Sequence, residues 1–179
     1  MSQRDSGYER IERDIYETPE WVTEALVPHL PRKVRNVLEP AMGSGKITRA
    51  LSAMGISCDG SDIRSGEDFL VMGTPGLMDS IITNPPYTLA TEFCEHALHL
   101  MVPCHGLVAM LLRTDFDHAK GRAHLFSECP AFAKKVVLRK RITWFEPPKG
   151  AKGKSPSFNH AWFIWDWQHK GAPTLAYGP

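Results

Sequence analysis

The segment 79–87, Asp-Ser-Ile-Ile-Thr-Asn-Pro-Pro-Tyr, carries the clearest chemistry in the sequence. An apolar run leads directly into Asn84, and Pro85 and Pro86 then fix φ and remove two backbone N–H donors. The resulting rigid turn presents an amide side chain, carbonyl oxygens and the ring of Tyr87. The oxygens of Asn84 and Pro85 can each accept one hydrogen from an NH₂ group, while Tyr87 can stack on a flat ring. The segment therefore predicts a site for a planar amine.

A second motif is the glycine turn, which we define as residues 36–46, Asn-Val-Leu-Glu-Pro-Ala-Met-Gly-Ser-Gly-Lys. Its pattern is a short strand, then Gly43 and Gly45, then a helix. Glycines permit a tight turn and let a ligand approach the backbone closely. In open α/β sheets such turns lie at the carboxyl ends of strands, where ligands bind. The turn therefore predicts a small-molecule site.

Three ligand classes compete for the glycine turn. A phosphate-binding P-loop needs glycine where Pro40 stands and a hydroxyl residue where Ile47 stands. A dinucleotide fingerprint needs a third glycine where Thr48 stands. The carboxylate of Glu39 would repel a pyrophosphate and attract an ammonium group. S-adenosylmethionine is cationic and has an amino acid end, so it fits this turn better than either phosphate ligand.

Two acidic positions after the turn extend this prediction. Asp62 follows a second predicted strand, 17 residues after Gly45, where a carboxylate can accept hydrogen bonds from both ribose hydroxyls. Asp68 and Phe69 lie in the next connection and could supply a polar contact and an apolar wall for an adenine ring. The alternative for Asp62 is a solvated loop position with no ligand.

Strands alternate with helices along the chain, which predicts an α/β fold with a doubly wound, mostly parallel sheet. Two late strands without a helix between them predict a hairpin and hence an antiparallel edge strand. The predicted helices are Pro19–Leu30, Gly45–Met54 and Thr88–Met101, and the predicted strands are Val34–Leu38, one within Gly55–Asp62, Asp79–Thr83, Gly106–Leu112, Val136–Trp144 and His160–Trp167.

Together these motifs resemble those of the class I, Rossmann-like S-adenosylmethionine-dependent methyltransferases. Within that class the chain is similar to the adenine-specific (N6) DNA methyltransferases that carry an Asp/Asn-Pro-Pro-Tyr/Phe motif. Residues 39–45 match the cofactor motif of these enzymes and residues 84–87 match their catalytic motif. Residues 16–19, Tyr-Glu-Thr-Pro, resemble their Tyr-x-Thr-Pro element, which lies beside the cofactor. The resemblance covers roughly residues 14–167.

The resemblance implies methyl transfer from S-adenosylmethionine to the exocyclic amine of adenine, with DNA favoured and RNA possible. The same tetrapeptide also occurs in release-factor methyltransferases, so a glutamine side chain in protein is a weaker alternative. A non-catalytic binding module is another. The resemblance assigns catalysis to Asn84, Pro85, Pro86 and Tyr87. It assigns cofactor binding to Tyr16, Thr18, Pro19, Glu39, Pro40, Ala41, Gly43, Gly45, Asp62, Asp68, Phe69 and Asn84.

Length and composition limit the other possibilities. The 179 residues, with 42% hydrophobic and 23% charged residues, suit one methyltransferase domain over 1–179 without a separate target-recognition domain. No apolar run approaches the roughly 20 residues of a membrane span, so we expect a cytoplasmic protein. We also expect a monomer or a homodimer. The side chains of Cys94, His96 and His99 would fan around a helix rather than converge, and we predict no metal site.

The net charge of +1 hides an uneven distribution. Residues 134–154 hold eight basic residues against one acidic residue, whereas residues 1–24 hold three against seven. Basic residues beside aromatic ones suit phosphates and stacked bases, although a solvated surface would give the same pattern. The prolines, glycines and lysines of Glu146–Phe158 predict a basic loop. The predicted nucleic-acid-binding residues are Arg113, Arg122, Arg139, Arg141, Lys149, Lys152 and Lys154.

Overall fold

The computed structural model describes residues 16–74, 76–144 and 158–179. In these ranges seven strands form one sheet in the order β2-β1-β3-β4-β6-β5-β7, accompanied by three α-helices. The strands are β1 (Asn36–Glu39), β2 (Ser57–Gly60), β3 (Ser80–Thr83), β4 (Leu107–Arg113), β5 (Phe132–Val137), β6 (His160–Asp166) and β7 (Thr174–Tyr177). The helices are α1 (Glu20–Leu26), α2 (Lys46–Ala53) and α3 (Ala90–Met101).

Most strand pairs are parallel, as the alternation of elements predicts. Strand β1 pairs in parallel with β2 and β3, and β3 pairs in parallel with β4. Strand β6 is antiparallel to both β4 and β5, while β7 returns parallel to β5. The α/β class and the antiparallel pair are thus confirmed, but β6 lies inside the sheet and β7 forms its edge.

Helices cover both faces of the sheet, because side chains along each central strand alternate between two apolar cores. Ile81 and Val108 point to the core that contains α3, whereas Ile82 and Ala109 point to the core that contains α1 and α2. This period-two pattern explains why β3 and β4 read as continuous apolar runs.

Two tryptophans of β6 connect the sheet to surrounding segments. The indole nitrogen of Trp162 donates to the carbonyl of Val22 in α1 at 2.8 Å. The indole nitrogen of Trp165 donates to the carbonyl of Leu125 at 2.6 Å. Both side chains are fully buried. Trp162 thereby fixes α1 on the sheet, and residues 16–19 that lead into α1 are held near the strand ends.

Two predicted boundaries were wrong, and one strand was not predicted. The first helix ends at Leu26 and continues as a 3-10 turn, because Pro28 has no N–H to donate. Strand β5 covers Phe132–Val137 rather than Val136–Trp144, since the exposed residues 139–141 leave the sheet and Lys140 N donates to the carbonyl of Pro179. Strand β7 escaped prediction because its residues are largely exposed and show no buried face.

Among the described residues no helix has the length and apolar character needed to cross a membrane. Over the same ranges, no group of three or more His, Cys, Asp or Glu side chains is placed to hold a metal ion.

Candidate active site

A cavity of about 550 Å³ lies at the carboxyl ends of β1, β2 and β3. Because β1 pairs directly with both of its neighbours, the segments that follow these strands meet at one edge of the sheet. The lining of this cavity includes residues of the glycine turn. It also includes the beginning of the turn Asn84–Tyr87, which we call the proline turn. The structure thus brings together the two motifs, on adjacent strands, as the sequence predicts. The predicted residues in this lining are Tyr16, Thr18, Glu39, Pro40, Ala41, Gly43, Asp62, Asp68, Phe69, Asn84, Pro85 and Pro86.

The glycine turn needs its glycines for backbone geometry. Gly43 has φ of 59° and Gly45 has φ of 79°, in the left-handed region that other residues rarely adopt. Gly45 also caps the start of α2. Gly60 serves differently, since a Cβ there would lie 2.1 Å from Sδ of Met42. The turn therefore packs against the end of β2 through a contact that only glycine permits.

Glu39 is a buried carboxyl group of the cavity lining, with 1% of its surface exposed. Its Oε2 accepts hydrogen bonds from the backbone N–H of Thr48 at 3.0 Å and from the hydroxyl of Thr48. Burial raises the pKa of Glu39 to about 8, against the opposing effect of these two bonds. No ion pair joins this carboxylate to a cation within the part of the chain that the structure describes.

Asp62 lies opposite the glycine turn and already has several partners. One oxygen accepts from the backbone N–H of Gly43 at 2.8 Å, and the other accepts from Nε of Arg64 at 2.8 Å. Burial acts to raise the pKa of Asp62, but the hydrogen bonds from Arg64 and Gly43 leave it below its usual value. Arg64 also lines the cavity and was not predicted from the sequence. The carboxylate is thus fixed in place, with Arg64 where a ligand hydroxyl would otherwise bind.

Asp68 and Phe69 form the wall next to Asp62. The Asp68 carboxylate accepts from the N–H of Leu70 at 3.0 Å, which caps a short 3-10 turn. Phe69 is 2% exposed, and its ring lies 4.9 Å from that of Phe93 on α3. Both Phe69 and Phe93 line the cavity, which gives it the predicted apolar wall.

Residues 16–18, which precede α1, line the cavity. Glu17 forms an ion pair with Lys46 of α2 at 2.9 Å, although both side chains are more than a third exposed. The carbonyl of Tyr16 accepts a hydrogen bond from Nδ2 of Asn84 at 3.0 Å. Pro19 is not part of the lining and instead precedes α1 as its N-cap. Residues 16 and 17 therefore connect the end of the glycine turn, at Lys46, to Asn84.

Asn84 follows β3 directly, and its two amide atoms differ in their surroundings. The bond from Nδ2 to the carbonyl of Tyr16 sets the orientation of the amide, so Oδ1 is left as the acceptor. Oδ1 is buried and receives no hydrogen bond from any described residue. Buried polar atoms normally have partners, so an open acceptor at this point indicates a place for a donor from a ligand.

Four rings pack beside the proline turn, and we call them the aromatic group: Tyr16, Tyr87, Trp144 and His160. Tyr87 lies nearly parallel to Tyr16, at 6.1 Å and 16°, and to His160, at 5.9 Å and 24°. Trp144 meets Tyr16 edge-on at 5.4 Å and His160 edge-on at 5.2 Å. Tyr87 itself is not among the residues that line the cavity. The aromatic group thus forms a closed ring of contacts behind Asn84.

The predicted nucleic-acid-binding residues fall into different surroundings. Arg113 ends β4, pairs with Asp115 at 2.7 Å and covers the ring of Phe158 at 4.2 Å. Arg122 is held inward, with Nε donating to the carbonyl of Phe116 at 2.6 Å. Arg139 and Arg141 are exposed just after β5. The predicted loop over 146–158 and its lysines Lys149, Lys152 and Lys154 lie outside the described residues, apart from Phe158.

Sequence reasoning missed Arg64, Lys46 and His160 as parts of the site. Lys46 directly follows Gly45, and Arg64 lies two residues after Asp62, so their closeness to the cavity was open to prediction. His160 is the first residue of an antiparallel strand, and such a residue lies at the same sheet edge as the carboxyl ends of the parallel strands. That signal could have placed His160 near Asn84 if the position of β6 within the sheet had been known.

No protein-family model matches the sequence, and no curated protein matches it. Solved structures do match. One is the methyltransferase subunit of a type I restriction-modification system from Streptococcus thermophilus, with a TM-score of 0.58 and 12% identity over 90% of this chain. Another is described as a class I S-adenosylmethionine-dependent methyltransferase from Listeria monocytogenes, with a TM-score of 0.49 and 14% identity over 87% of this chain.

The fold is that of the Rossmann-like methyltransferases. The predicted fold class is therefore confirmed. The chain spans 47% of the first of these structures and 62% of the second.

Proposed function

We propose that this protein is an S-adenosylmethionine-dependent methyltransferase that acts on the exocyclic amine of adenine, with DNA as the favoured substrate. The cofactor assignment is supported by Glu39, a buried carboxyl group whose hydrogen-bond partner Thr48 is neutral and which forms no ion pair among the described residues. The ammonium group of the cofactor's amino acid end would supply a positive charge for this carboxylate. The glycine turn and the apolar wall at Phe69 suit the remaining parts of the cofactor.

The observation that carries this proposal is the open acceptor of Asn84 in the same cavity. Its Oδ1 is buried without a donor, and its amide is fixed by the carbonyl of Tyr16. A donor that enters from the cavity would meet this oxygen at the carboxyl end of β3, beside the glycine turn of β1. An NH₂ group is such a donor, and it also has a second hydrogen for the carbonyl of Pro85.

The residues of the proline turn would act by positioning and electrostatics. When Asn84 and Pro85 accept both N–H bonds, electron density on the amine nitrogen increases and its lone pair is directed at the cofactor side of the cavity. Bound there, S-adenosylmethionine would supply a methyl group on a sulfonium sulfur; transfer would break the C–S bond as the C–N bond forms, leave a neutral thioether and pass the amine proton to water. The role of Tyr87 is to stack on the flat ring of the target.

A nucleic acid substrate is supported by the charges at the same sheet edge. Arg113 ends β4, and the exposed residues Arg139 and Arg141 follow the end of β5, which runs parallel to β4. These guanidinium groups therefore lie on the side of the sheet that holds Asn84, where phosphates of a bound strand would pass. The preference for adenine and for DNA rests on the resemblance of the Asn-Pro-Pro-Tyr motif. A base in a duplex would have to leave the stack to reach this cavity.

The proposal is tested by methyl transfer from radiolabelled S-adenosylmethionine to separate pools of DNA, RNA and protein, followed by nucleoside and amino acid analysis. We expect label in DNA as N6-methyladenine. The control is the Asn84→Ala variant, which should bind cofactor in calorimetry and transfer no label.

Each other outcome of this assay has a defined meaning. Label in RNA adenine would retain the reaction and change the substrate. Label in protein glutamine would overturn the choice of a nucleic acid. Cofactor binding without transfer to any pool would favour a binding module, and full turnover by Asn84→Ala would refute the role of the amide.

A further inference from the structure

His160 is a buried polar side chain of this region that the proposed reaction does not use. It is the first residue of β6 and pairs with Arg113, the last residue of β4. Because β6 runs antiparallel to β4, this start of β6 lies at the edge of the sheet where Asn84 follows β3. His160 therefore lies at the same edge of the sheet as Asn84 and not at the opposite edge.

The surroundings of the imidazole are unusual for a histidine. His160 is 2% exposed, and neither Nδ1 nor Nε2 has a hydrogen-bond partner among the described residues. Burial, and secondarily the charge of Arg113, lowers the pKa of His160 to about 4, so the ring is neutral near pH 7. A neutral imidazole offers one N–H donor and one acceptor. Both are withdrawn from water here, which is unfavourable unless a partner arrives.

The open nitrogens of His160 belong to the aromatic group around the proline turn. The His160 ring lies 5.9 Å from the ring of Tyr87 and 5.2 Å from that of Trp144. The open acceptor of Asn84 is three residues before Tyr87. Unsatisfied polar atoms are rare in folded proteins, so their concentration around one turn indicates a ligand with several polar positions on a flat ring.

Tyr16 shows how a flat ring is held in this place. Its ring lies nearly parallel to Tyr87 at 6.1 Å and meets the ring of Trp144 edge-on at 5.4 Å. A nucleobase could make the same two contacts if the Tyr16 ring moved aside. Tyr87 and Trp144 also contact the imidazole of His160, so the base and His160 would share these two neighbouring rings.

We propose that His160 is a specificity-determining residue of the target site, whose ring N–H donates to a ring nitrogen that flanks the amine of the target base. This inference rests on the proposed function. Adenine has two such nitrogens, N1 and N7, and each is an acceptor. A glutamine amide has a carbonyl oxygen in this place and no ring nitrogen, so removal of a single ring nitrogen from the target base tests the contact directly.

The test is a double-mutant cycle between protein and base. Wild-type protein and His160→Phe are compared on DNA oligonucleotides that carry adenine, 1-deazaadenine or 7-deazaadenine at the position that the wild type methylates. Phenylalanine keeps a ring against Tyr87 but removes both nitrogens. His124→Phe is the matched control, because His124 is a surface residue whose partner is Glu95.

We expect His160→Phe to lower kcat/KM on adenine about tenfold, and one of the two deaza bases to lower wild-type kcat/KM about tenfold, as for loss of a neutral hydrogen bond. The two losses together should still be about tenfold, because they remove the same contact. His124→Phe should leave all values unchanged. The responsive analogue identifies the ring nitrogen that is bound.

The proposal would be overturned if His160→Phe combined with either deaza base lowered kcat/KM by the product of the two single losses, about a hundredfold. His160 would then act only by packing against Tyr87. An unchanged kcat/KM in His160→Phe would also overturn it. If His160→Phe fails to bind cofactor in calorimetry, His160→Leu, which has no N–H donor, takes its place in the cycle and must couple to the analogue that lowers the wild-type kcat/KM. A wild-type protein that methylates no adenine oligonucleotide would instead refute the proposed function.

Discussion

The two ends of the cavity differ in how far their polar groups are already satisfied. At the cofactor end, Glu39 accepts two bonds from Thr48, while Asp62 is held by Gly43 and Arg64. At the target end, the acceptor of Asn84 is buried without a described partner, and so are both nitrogens of His160, which lies outside the cavity lining and packs against Tyr87.

This difference separates two kinds of binding. A network whose members already bond one another holds its geometry without a ligand, and its loss should weaken affinity. Buried groups without partners are completed only when a substrate supplies the missing donors and acceptors, so their loss should reduce turnover. The four variants below test this division, in order of decreasing expected effect.

The largest effect is expected for Asn84→Ala, which removes the acceptor at the target end. Loss of one electrostatic contact to the reacting group should lower kcat by roughly 100- to 1000-fold. Cofactor affinity, measured by calorimetry, should remain near the wild-type value because the cofactor end is untouched. Asn36→Ala is the matched control, since Asn36 begins β1 at the opposite edge of the sheet. If Asn84→Ala also lost affinity for the cofactor, the two ends of the cavity would not be functionally separate.

Asp62→Ala should show the reverse pattern. Hydrogen bonds to a charged group are strong, so we expect roughly a 10- to 100-fold loss in affinity for S-adenosylmethionine. Turnover at saturating cofactor should change far less. Asp59→Ala removes an exposed carboxylate of neighbouring β2 and should have no effect. Normal calorimetric affinity in Asp62→Ala would mean that Asp62 serves only to hold Arg64.

Glu39 should make cofactor binding depend on pH. Because the pKa of Glu39 is raised from 4.5 to about 8, the carboxyl is mostly protonated at pH 6 and must lose its proton to pair with an ammonium group. Affinity should therefore rise by up to about tenfold per pH unit between pH 6 and 7.5, below the range where an α-amino group titrates. Glu39→Gln should bind more weakly and lose this dependence. An identical pH profile in wild type and Glu39→Gln would contradict the assignment.

The same group should affect the stability of the cofactor-free protein. A raised folded-state pKa stabilises the fold below the unfolded value of 4.5, and this contribution is lost as the pH rises through about 8. We expect the melting temperature of the wild type to fall over this window relative to Glu39→Gln. Added S-adenosylmethionine should reverse the trend near pH 7.5.

The smallest effect is expected for the lysines of the predicted basic loop. Replacing Lys149, Lys152 and Lys154 with alanine should weaken nucleic acid binding, and each lost phosphate contact should reduce the salt slope by about 0.7 to 0.9. Cofactor affinity should stay near normal. The control replaces three basic residues at the opposite sheet edge, Lys33, Arg35 and Lys170. Equal slopes in both triple variants would show that the substrate lies elsewhere.

Local patterns account for most of what the sequence predicted correctly. The strand alternation gave the parallel core, because buried parallel strands have apolar residues on both faces. The glycine turn and the proline turn were recognisable because each needs particular residues for its own backbone, as the positive φ of Gly43 and Gly45 confirms. The boundary of β5 failed because Leu138 and Ile142 continue the apolar pattern although the chain has left the sheet.

The sequence by itself determined the two motifs, the order of the strands that carry them and hence their meeting at one sheet edge. Only the tertiary structure placed His160 against Tyr87 and Trp144, because these residues are 16 to 73 positions apart and meet through the insertion of β6 beside β4. It also decided that Arg64 binds Asp62 and that Tyr16 binds Asn84. Side-chain partners of this kind follow from the packing of distant segments, which no local pattern of residues specifies.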